Sequence, residues 1–381
     1  MDSLQPFTQP AGFVQADTVR LLISARDTGS AHEAAAFVQS AVAARLPFEF
    51  TMVGYGPAVP VLESTGLPVT CWPHAPRRAS AAARRSAADL VDTARPDALL
   101  VGLAYPGFGP DEALNAVARS RGLPTAAIQD YWGHVGGFTG EDAPDTFFVI
   151  DTLAARLTRL KLGPNVRVVV TGSPRRLKRS AISPPRPRAR DRGGPALVCY
   201  FGQPASFPGC AENLTLFVEA VAKLPRPIRL RFRRHPGDSS SMKRYADLLA
   251  TQPHPWEFSM PERAVEDDLI DADLIVTCHS SVGLDHHYLQ LRTAAPLAPV
   301  LFVTVGAPVR RFLHAQVGIP EVPNVRLGFA AGVTQARDLA PTLLRLLDDP
   351  DVAATYRKRV VRRLTTRQEP CGIVANYFLS R

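Results

Sequence analysis

A cluster of positive charge follows one of the apolar runs in the second half of the sequence. Arg234, His235 and Pro236 come directly after the run 228–233, and proline forces the chain to turn there. A phosphate or carboxylate beside His235 favours the protonated imidazole and accepts a charge-assisted hydrogen bond from it. A lone histidine is usually structural, but this position at the end of a predicted strand favours an anion-binding and catalytic role.

A pair of hydroxyl groups follows a second apolar run, 274–277. Ser280 and Ser281 open a predicted helix, whose free backbone N–H groups favour an anion. Asp285 lies one turn inside that helix on the side of Ser281, where its carboxylate is expected to bind ribose hydroxyls. Serine is also an ordinary helix cap, which explains one serine but neither the pair nor Asp285. The segment predicts a nucleotide or phosphate site.

Asp27 is the first candidate for a general base. It follows the apolar run 19–24 and begins a helix, so its carboxylate either accepts a proton or simply caps the helix. An anion could be bound by the backbone N–H groups of the first turn and by the residues that open the helix, namely Gly29, Ser30 and His32. The segment has no GxGxxG motif, so a dinucleotide cofactor is not predicted.

Asp130 is the second candidate base. It lies with Trp132 in the loop that follows the run 125–129, and this loop is rich in aromatic and hydrogen-bonding groups. Two interpretations stay open: the loop orients a sugar or another polar acceptor, on which Trp132 stacks, or it is a glycine-rich turn with Trp132 in the core.

Two glycines, Gly172 and Gly202, end further apolar runs. Gly172 is expected to set the geometry of a hinge, although it also lets a ligand approach the backbone. Gly202 is where a loop could face a diphosphate, and an ordinary turn explains it equally well.

No metal or other cofactor is predicted. His286 and His287 point about 100° apart on a helix, and no carboxylate cluster completes a ligand set with His279. The five cysteines are scattered without a CxxC pair, so neither disulfides nor structural zinc is expected; they are Cys71, Cys199, Cys210, Cys278 and Cys371.

The elements that must position these side chains alternate between apolar runs and amphipathic stretches, which is typical of βαβ units. Predicted strands are 19–24, 48–55, 69–72, 98–104, 125–129, 146–150, 166–170, 196–201, 228–233, 274–277 and 300–305. Predicted helices are 31–46, 84–94, 110–121, 152–162, 212–224, 242–251 and 281–291. Since ligands bind beyond the carboxyl ends of parallel strands, the polar residues after each strand are the candidates for function.

A chain of 381 residues is long enough for two domains. We predict an α/β protein with two Rossmann-like, doubly wound parallel-sheet domains facing a cleft. The predicted parts are an acceptor domain, 1–182, an arginine- and proline-rich linker, 183–194, a nucleotide-donor domain, 195–335, and C-terminal helices, 336–381, that pack back towards the first domain.

The net charge of +9 favours an anionic partner. Part of it lies in local clusters such as Arg77 and Arg78, which are compatible with peripheral association with an anionic membrane or with an ordinary solvated surface. No recognition-helix pattern is present, so nucleic acid is not expected. No apolar run reaches the ~20 residues of a membrane span, and the sequence predicts a cytoplasmic protein.

At the polar residues that follow its predicted strands, the chain resembles the two-Rossmann (GT-B type) glycosyltransferases and their relatives, the nucleotide-sugar 2-epimerases. The pairs His235-Pro236 and Ser280-Ser281 look like the HP and SS motifs of bacterial sialyltransferases and polysialyltransferases, and also like those of CDP-glycerol type transferases. The 2-epimerases usually show HPN and SGG instead. The sialyltransferase pattern includes an acidic pair before a glycine, and two segments match it in part: Asp27-Thr28-Gly29 supplies one acid, and Glu141-Asp142 supplies the pair without the glycine.

The resemblance implies a metal-independent glycosyltransferase that moves a sugar or related group from a nucleotide-activated donor to an acceptor hydroxyl. It implies a CMP or CDP donor ahead of UDP, a carbohydrate or lipid-linked acceptor, and a place in polysaccharide biosynthesis. Asp27, or else Asp130, is expected to act as base, while His235, Ser280 and Ser281 bind the donor. A nucleotide-sugar 2-epimerase and a non-catalytic two-lobed binding protein remain as alternatives.

Overall fold

The computed structural model describes residues 17–72, 80–104, 107–182, 194–364 and 369–381. The described residues up to Arg179, together with 369–381, form one compact unit, and those from Ser180 to 364 form the other. Apart from Gly194, the predicted linker 183–194 lies outside the described residues, as do Arg77 and Arg78.

The first unit is built on a seven-stranded parallel sheet with the order β3-β2-β1-β4-β5-β6-β7. Its strands are β1 (Val19–Ala25), β2 (Phe48–Gly54), β3 (Val69–Cys71), β4 (Ala98–Val101), β5 (Thr125–Ile128), β6 (Thr146–Val149) and β7 (Arg167–Val170). The connecting helices are α1 (Thr28–Ala43), α2 (Ala58–Glu63), α3 (Ala81–Ala94), α4 (Pro110–Ser120), α5 (Thr152–Leu162) and α6 (Pro174–Ile182).

Both faces of the first sheet are buried. In β1, Leu21 and Ile23 pack on one side with α1, while Leu22 and Ser24, which are equally buried, alternate to the other side. A strand covered on both faces must be apolar nearly throughout, which is why these segments read as continuous apolar runs in the sequence.

The second unit is built on a six-stranded parallel sheet with the order β10-β9-β8-β11-β12-β13. Its strands are β8 (Ala196–Phe201), β9 (Ile228–Arg233), β10 (Trp256–Phe258), β11 (Leu274–Thr277), β12 (Val300–Val303) and β13 (Ala331–Val333). Its helices are α7 (Cys210–Val221), α8 (Met242–Leu249), α9 (Val265–Asp271), α10 (Val282–Gln290), α11 (Ala307–Val317), α12 (Pro323–Arg326), α13 (Leu339–Asp348) and α14 (Asp351–Leu364).

Strand β9 shows how charge is accommodated at the margin of this sheet. Its apolar residues point into the core, and its arginines alternate to the opposite face. There Arg231 and Arg233 pair with the buried Asp268 of α9, at 3.1 and 2.7 Å. The two arginines thereby satisfy a carboxylate that would otherwise be buried without a partner.

The C-terminal segment 336–381 divides between the two units. A 3-10 turn (Ala336–Asp338) leads into α13, whose leucines join the core of the second unit. Helix α15 (Pro370–Leu379) instead packs in the core of the first unit, where the ring of Tyr377 lies 5.2 Å from that of Phe148. Among the described residues, no helix is long and apolar enough to cross a bilayer.

Candidate functional site

The strand order reverses once in each sheet, between β1 and β4 in the first and between β8 and β11 in the second. At such a switch point the connections leave in opposite directions and open a crevice beyond the carboxyl ends of the strands. Asp27 follows β1, and Gly202 and Ser280 follow β8 and β11. Residues predicted for function in both halves therefore lie at switch points.

Asp27 and Asp130 meet at the first turn of α1. The side chain of Asp27 is the N-terminal cap of this helix and accepts a 2.7 Å hydrogen bond from the Gly29 N–H. A Cβ on Gly29 would lie 2.0 Å from the Asp130 Oδ2 and 3.2 Å from the Asp27 Oδ1. Only glycine lets both carboxylates approach the helix start so closely.

The environments of these two carboxylates push their pKa values apart. Burial raises the pKa of Asp27, and the negative charge of Asp130 adds to the effect, against the Gly29 hydrogen bond. Burial also favours the protonated form of Asp130, but a hydrogen bond from His134 at 3.2 Å and nearby positive charge outweigh it. The pKa of Asp130 is therefore lowered, and this group stays ionised.

A buried ion pair supports the loop that carries Asp130. Glu33 of α1 and Arg176 of α6 lie 3.0 Å apart and are only 0 % and 2 % exposed. Glu33 also accepts hydrogen bonds from the Ser173 hydroxyl at 2.5 Å and the Arg175 N–H at 2.9 Å. Arg176 donates at 2.8 Å to the backbone oxygen of Asp130. The pair thus ties α1, α6 and the Asp130 loop together.

A second buried carboxylate lies behind the loop that follows β1. Asp111 of α4 accepts a 2.5 Å hydrogen bond from the Ser24 hydroxyl. Arg26 lies 3.6 Å from Asp111 and 3.3 Å from the adjacent Glu112. Burial, with the charge of Glu112 next, raises the pKa of Asp111 to about 7. The side chain of Arg26 thereby helps to hold the strand end from which Asp27 projects.

The other residues predicted for function in the first half differ in how far they are buried. Trp132 is fully buried, and its indole N–H donates to Asp151 at 2.8 Å, so its ring has no free face for a sugar and fills the core. Ser30 is buried against Gly102. His32 is half-buried on α1, and Gly172 turns the chain with a φ of 83°. The expectation that Trp132 stacks on a substrate is therefore not supported.

In the second unit, the loop after β9 presents basic groups at the carboxyl edge. Arg234 and Pro236 are exposed, and His235 is half-buried with its Nδ1 accepting a 3.0 Å hydrogen bond from the Gly237 N–H. Burial lowers the pKa of His235, the charge of Asp238 opposes this, and His279 lowers it further.

The loops after β8 and β11 supply the remaining predicted residues. Ser281 is exposed at the start of α10, and Ser280 is largely buried, with its hydroxyl oxygen accepting from the Val282 N–H at 3.3 Å. Asp285 is half-buried one turn into α10. Gly202 lies where a Cβ would come within 3.1 Å of the Phe232 ring. These loops follow neighbouring strands, β8 and β11, at the same edge.

Two thiols and an imidazole meet beside those loops. The Sγ of Cys210, the first residue of α7, lies 3.2 Å from the Nε2 of His279. The ligand atoms of Cys210, Cys278 and His279 all lie within 4.8 Å of one another. A hydrogen bond from Cys278 lowers the pKa of Cys210 to about 6; burial opposes this shift, and a hydrogen bond with His279 adds to it. The scattered cysteine spacing gave no sign of this cluster.

Among the described residues, the second unit has a small cavity and a wider groove. The cavity, of about 150 Å³, adjoins Gly202 and Gln203 and has a floor of aromatic rings from Tyr200, Phe232 and Tyr245. The groove, of about 740 Å³, lies beyond β12 and β13, with walls that include Arg310, Arg311 and His314. The adjacent arginines near the start of α11 are a basic feature that the sequence analysis did not single out.

Comparisons with known proteins agree with this architecture. No protein-family model matches the chain, and a search of curated proteins finds no match. MurG of Acinetobacter baumannii matches at a TM-score of 0.63 and 14 % identity, over 95 % of this chain and 100 % of that one. The UDP-GlcNAc 2-epimerase from Neisseria meningitidis, solved with UDP-GlcNAc, matches at 0.64 and 14 %, over 95 % and 100 %.

The calicheamicin glycosyltransferase CalG4 matches at a TM-score of 0.60 and 12 % identity, over 96 % of this chain and 99 % of that one. At such identities the likeness establishes the fold. The two parallel-sheet α/β domains that the sequence predicts are confirmed, and they are domains of the GT-B fold.

Proposed function

We propose that this protein is a glycosyltransferase that moves a sugar or related group from a nucleotide-activated donor to an acceptor hydroxyl. The observation that carries the proposal is the pair of carboxylates at Gly29, with pKa values pushed in opposite directions. Two titratable groups in such unlike environments are typical of an acid/base site. Asp27, with the raised pKa, takes the proton from the acceptor hydroxyl, and Asp130 stays charged beside it.

In this proposal the second unit binds the donor. His235, Ser280 and Ser281 lie after strands β9 and β11, which flank β8 in one sheet, and their loops open at one edge. An imidazole, hydroxyl groups and the N–H groups at the start of α10 are suitable partners for the phosphates of a nucleotide. The same groups stabilise the negative charge of the departing nucleotide as the bond to the sugar breaks.

Two resemblances to known proteins bear on the identity of the donor nucleotide. The HP and SS pairs favour CMP or CDP by resemblance to sialyltransferases and CDP-glycerol type transferases, and nothing in the structural comparisons supports that preference. The Neisseria meningitidis structure was solved with UDP-GlcNAc. We therefore propose a nucleotide-sugar donor, with UDP ahead of CMP and CDP, and a carbohydrate or lipid-linked acceptor.

A 2-epimerase is the second candidate, because one specific observation favours it. The Neisseria meningitidis epimerase matches this chain as well as MurG does, with TM-scores of 0.64 and 0.63. Moving a proton on a sugar ring also requires an acid and a base, which Asp27 and Asp130 would supply. An epimerase, however, needs only the sugar nucleotide and no acceptor.

The test begins with thermal unfolding in the presence of UDP, GDP, CDP, CMP or ADP, since a ligand that binds the folded state raises its melting temperature. The sugar nucleotides of the stabilising base are then incubated with the protein alone and with a panel of sugar and lipid-linked acceptors. Release of nucleotide that requires an acceptor supports the transferase. A changed sugar nucleotide without acceptor identifies an epimerase, and stabilisation without turnover identifies a binding protein.

A further inference from the structure

We propose that Cys210, Cys278 and His279 form a binding site for a thiophilic divalent cation, zinc(II) by its ligand chemistry. The site stands apart from the proposed function, which uses neither thiol. Two thiolates and an imidazole are a ligand set that zinc prefers, and all three side chains come from one unit of the molecule.

The distances suit a metal of this size. Zinc binds thiolate at about 2.3 Å and imidazole at about 2.1 Å, so ligand atoms in a tetrahedral site are about 3.6 Å apart. Here the Cys210 Sγ and the His279 Nε2 are 3.2 Å apart, and all three ligand atoms lie within 4.8 Å of one another. Small rotations of the side chains are enough to place them around one ion.

The site is preorganised and largely shielded from water. Cys210, Cys278 and His279 are 5 %, 1 % and 7 % exposed. The ring of Phe207 stacks on the imidazole at 5.9 Å, and that of Phe312 lies 5.1 Å from it. Packing of this kind fixes the direction in which a histidine presents its nitrogen, which strengthens metal binding.

A fourth ligand position faces the loop after β8. The thiol of Cys210 lies 3.8 Å from the Oε1 of Gln203 in that loop. Three protein ligands leave one position for this amide oxygen or for water. An ion there would tie the start of α7, the loop after β11 and the loop after β8 together, at the edge where the donor is proposed to bind.

The linear sequence hides this site because its ligands are far apart. Cys278 and His279 are adjacent, but Cys210 begins a helix in an earlier βαβ unit, so no CxxC pattern results. The missing CxxC pattern led to the expectation of no structural zinc, and the expectation of no other metal rested on the directions of His286 and His287 and on the lack of a carboxylate cluster near His279. Parallel strands β8 and β11 are neighbours, and their pairing brings the distant residues to one edge.

The test uses the full chain, reduced with a phosphine and stripped of metal, and titrates it with Co²⁺ as a spectroscopic substitute for zinc. Thiolate ligation gives a sulfur-to-cobalt charge-transfer absorption and tetrahedral bands that saturate at one equivalent and disappear when Zn²⁺ is added. Cys210→Ser and Cys278→Ser each weaken Co²⁺ binding by about 100-fold or more. Cys71→Ser, which removes an exposed thiol outside the cluster, leaves the spectrum unchanged.

Circular dichroism checks that each variant is folded, and the wild-type chain gives a second readout that needs no substitution. Zn²⁺ raises the melting temperature of the wild-type protein, and a chelator reverses the increase. The proposal is overturned if the wild-type chain gives no thiolate–cobalt band, if the band survives in Cys210→Ser and Cys278→Ser, or if these two thiols join in a disulfide and Zn²⁺ has no effect on melting.

Discussion

The switch points of the two sheets have the same strand topology but carry different side-chain chemistry. At the first, carboxylates dominate: Asp27 and Asp130 meet over one glycine, and the buried pair of Glu33 and Arg176 supports them. At the second, the side chains are thiols, imidazoles and hydroxyls, with Ser281 exposed at the edge. An edge with two acids is suited to moving protons, while hydroxyl groups at the start of a helix are suited to binding anions.

The largest expected effect is on stability at the first switch point. Arg176→Met leaves the carboxylate of Glu33 buried without its positive partner, and breaking a buried ion pair in this way costs about 3–5 kcal/mol. Chemical denaturation followed by tryptophan fluorescence measures it, with Trp72 and Trp132 in the first unit and Trp256 in the second.

The matched control is Arg121→Met, which breaks a pair with Asp92 whose side chains are 33 % and 66 % exposed. An exposed pair of this kind contributes no more than about 1 kcal/mol. Equal losses of stability in the two variants would show that Glu33 and Arg176 are not the buried support described above.

A smaller effect is expected on ligand affinity at the proposed donor site of the second unit. His235→Ala removes a hydrogen bond to the donor phosphate and weakens nucleotide binding by about 1–3 kcal/mol, with little effect on stability because the loop is open to solvent. Isothermal titration calorimetry with the nucleotide that gives the largest thermal shift measures it. Asp27→Asn, in the first unit, is the control that keeps its affinity for the nucleotide. Unchanged affinity in His235→Ala would remove this residue from the donor site.

A dependence of stability on pH, the smallest of these effects when it is measured over one pH unit, is expected in the first unit. The pKa of Asp111 is about 7 in the folded chain against 3.8 as a free group, so its protonated form is favoured by folding. Its contribution is complete below about pH 4 and is lost as the pH rises to about 7, by at most about 1.4 kcal/mol per pH unit.

Asp111→Asn keeps the shape of the side chain without its charge and should flatten the fall in the free energy of unfolding between pH 5 and pH 8. Asp97→Asn is the contrasting control. A hydrogen bond from Arg20 lowers the pKa of Asp97, so its contribution is present at both pH values and is lost only in stronger acid. A wild-type slope that survives in Asp111→Asn would assign the pH dependence to another group.

The sequence predicted the sheets well because central parallel strands are apolar runs of ordinary length. The two strands it missed, Trp256–Phe258 and Ala331–Val333, are the edges of the second sheet and have three residues each. Three residues are too few to show a period, and the second strand contains only small side chains and one valine. Such strands form because a neighbouring strand offers a free edge for pairing. The local sequence pattern does not show that this edge is available.

Residues of the candidate site could be predicted from the sequence only where they directly follow a strand. Asp27 and Asp130 were found because each follows a strand, although the sequence left them as alternatives and the structure places them side by side. Glu33 and Arg176 are 143 residues apart, and neither stands out locally. Trp132 looked suitable for a sugar in sequence, but its polar partner, Asp151, lies in the core. The positions of these side chains depend on contacts between residues that are far apart in the sequence.

The role of Asp27 as the general base is tested most directly by comparing kcat of Asp27→Asn and Asp130→Asn. The rate is measured as acceptor-dependent release of nucleotide across a range of pH. Asparagine preserves the oxygen that accepts the Gly29 hydrogen bond, so the helix cap remains. We predict that Asp27→Asn lowers kcat by about 100-fold or more with an unchanged donor Kd. Asp130→Asn should retain more activity and shift the acidic limb of the kcat profile to lower pH, because the charge that raises the pKa of Asp27 is gone. Normal turnover in Asp27→Asn would contradict the account.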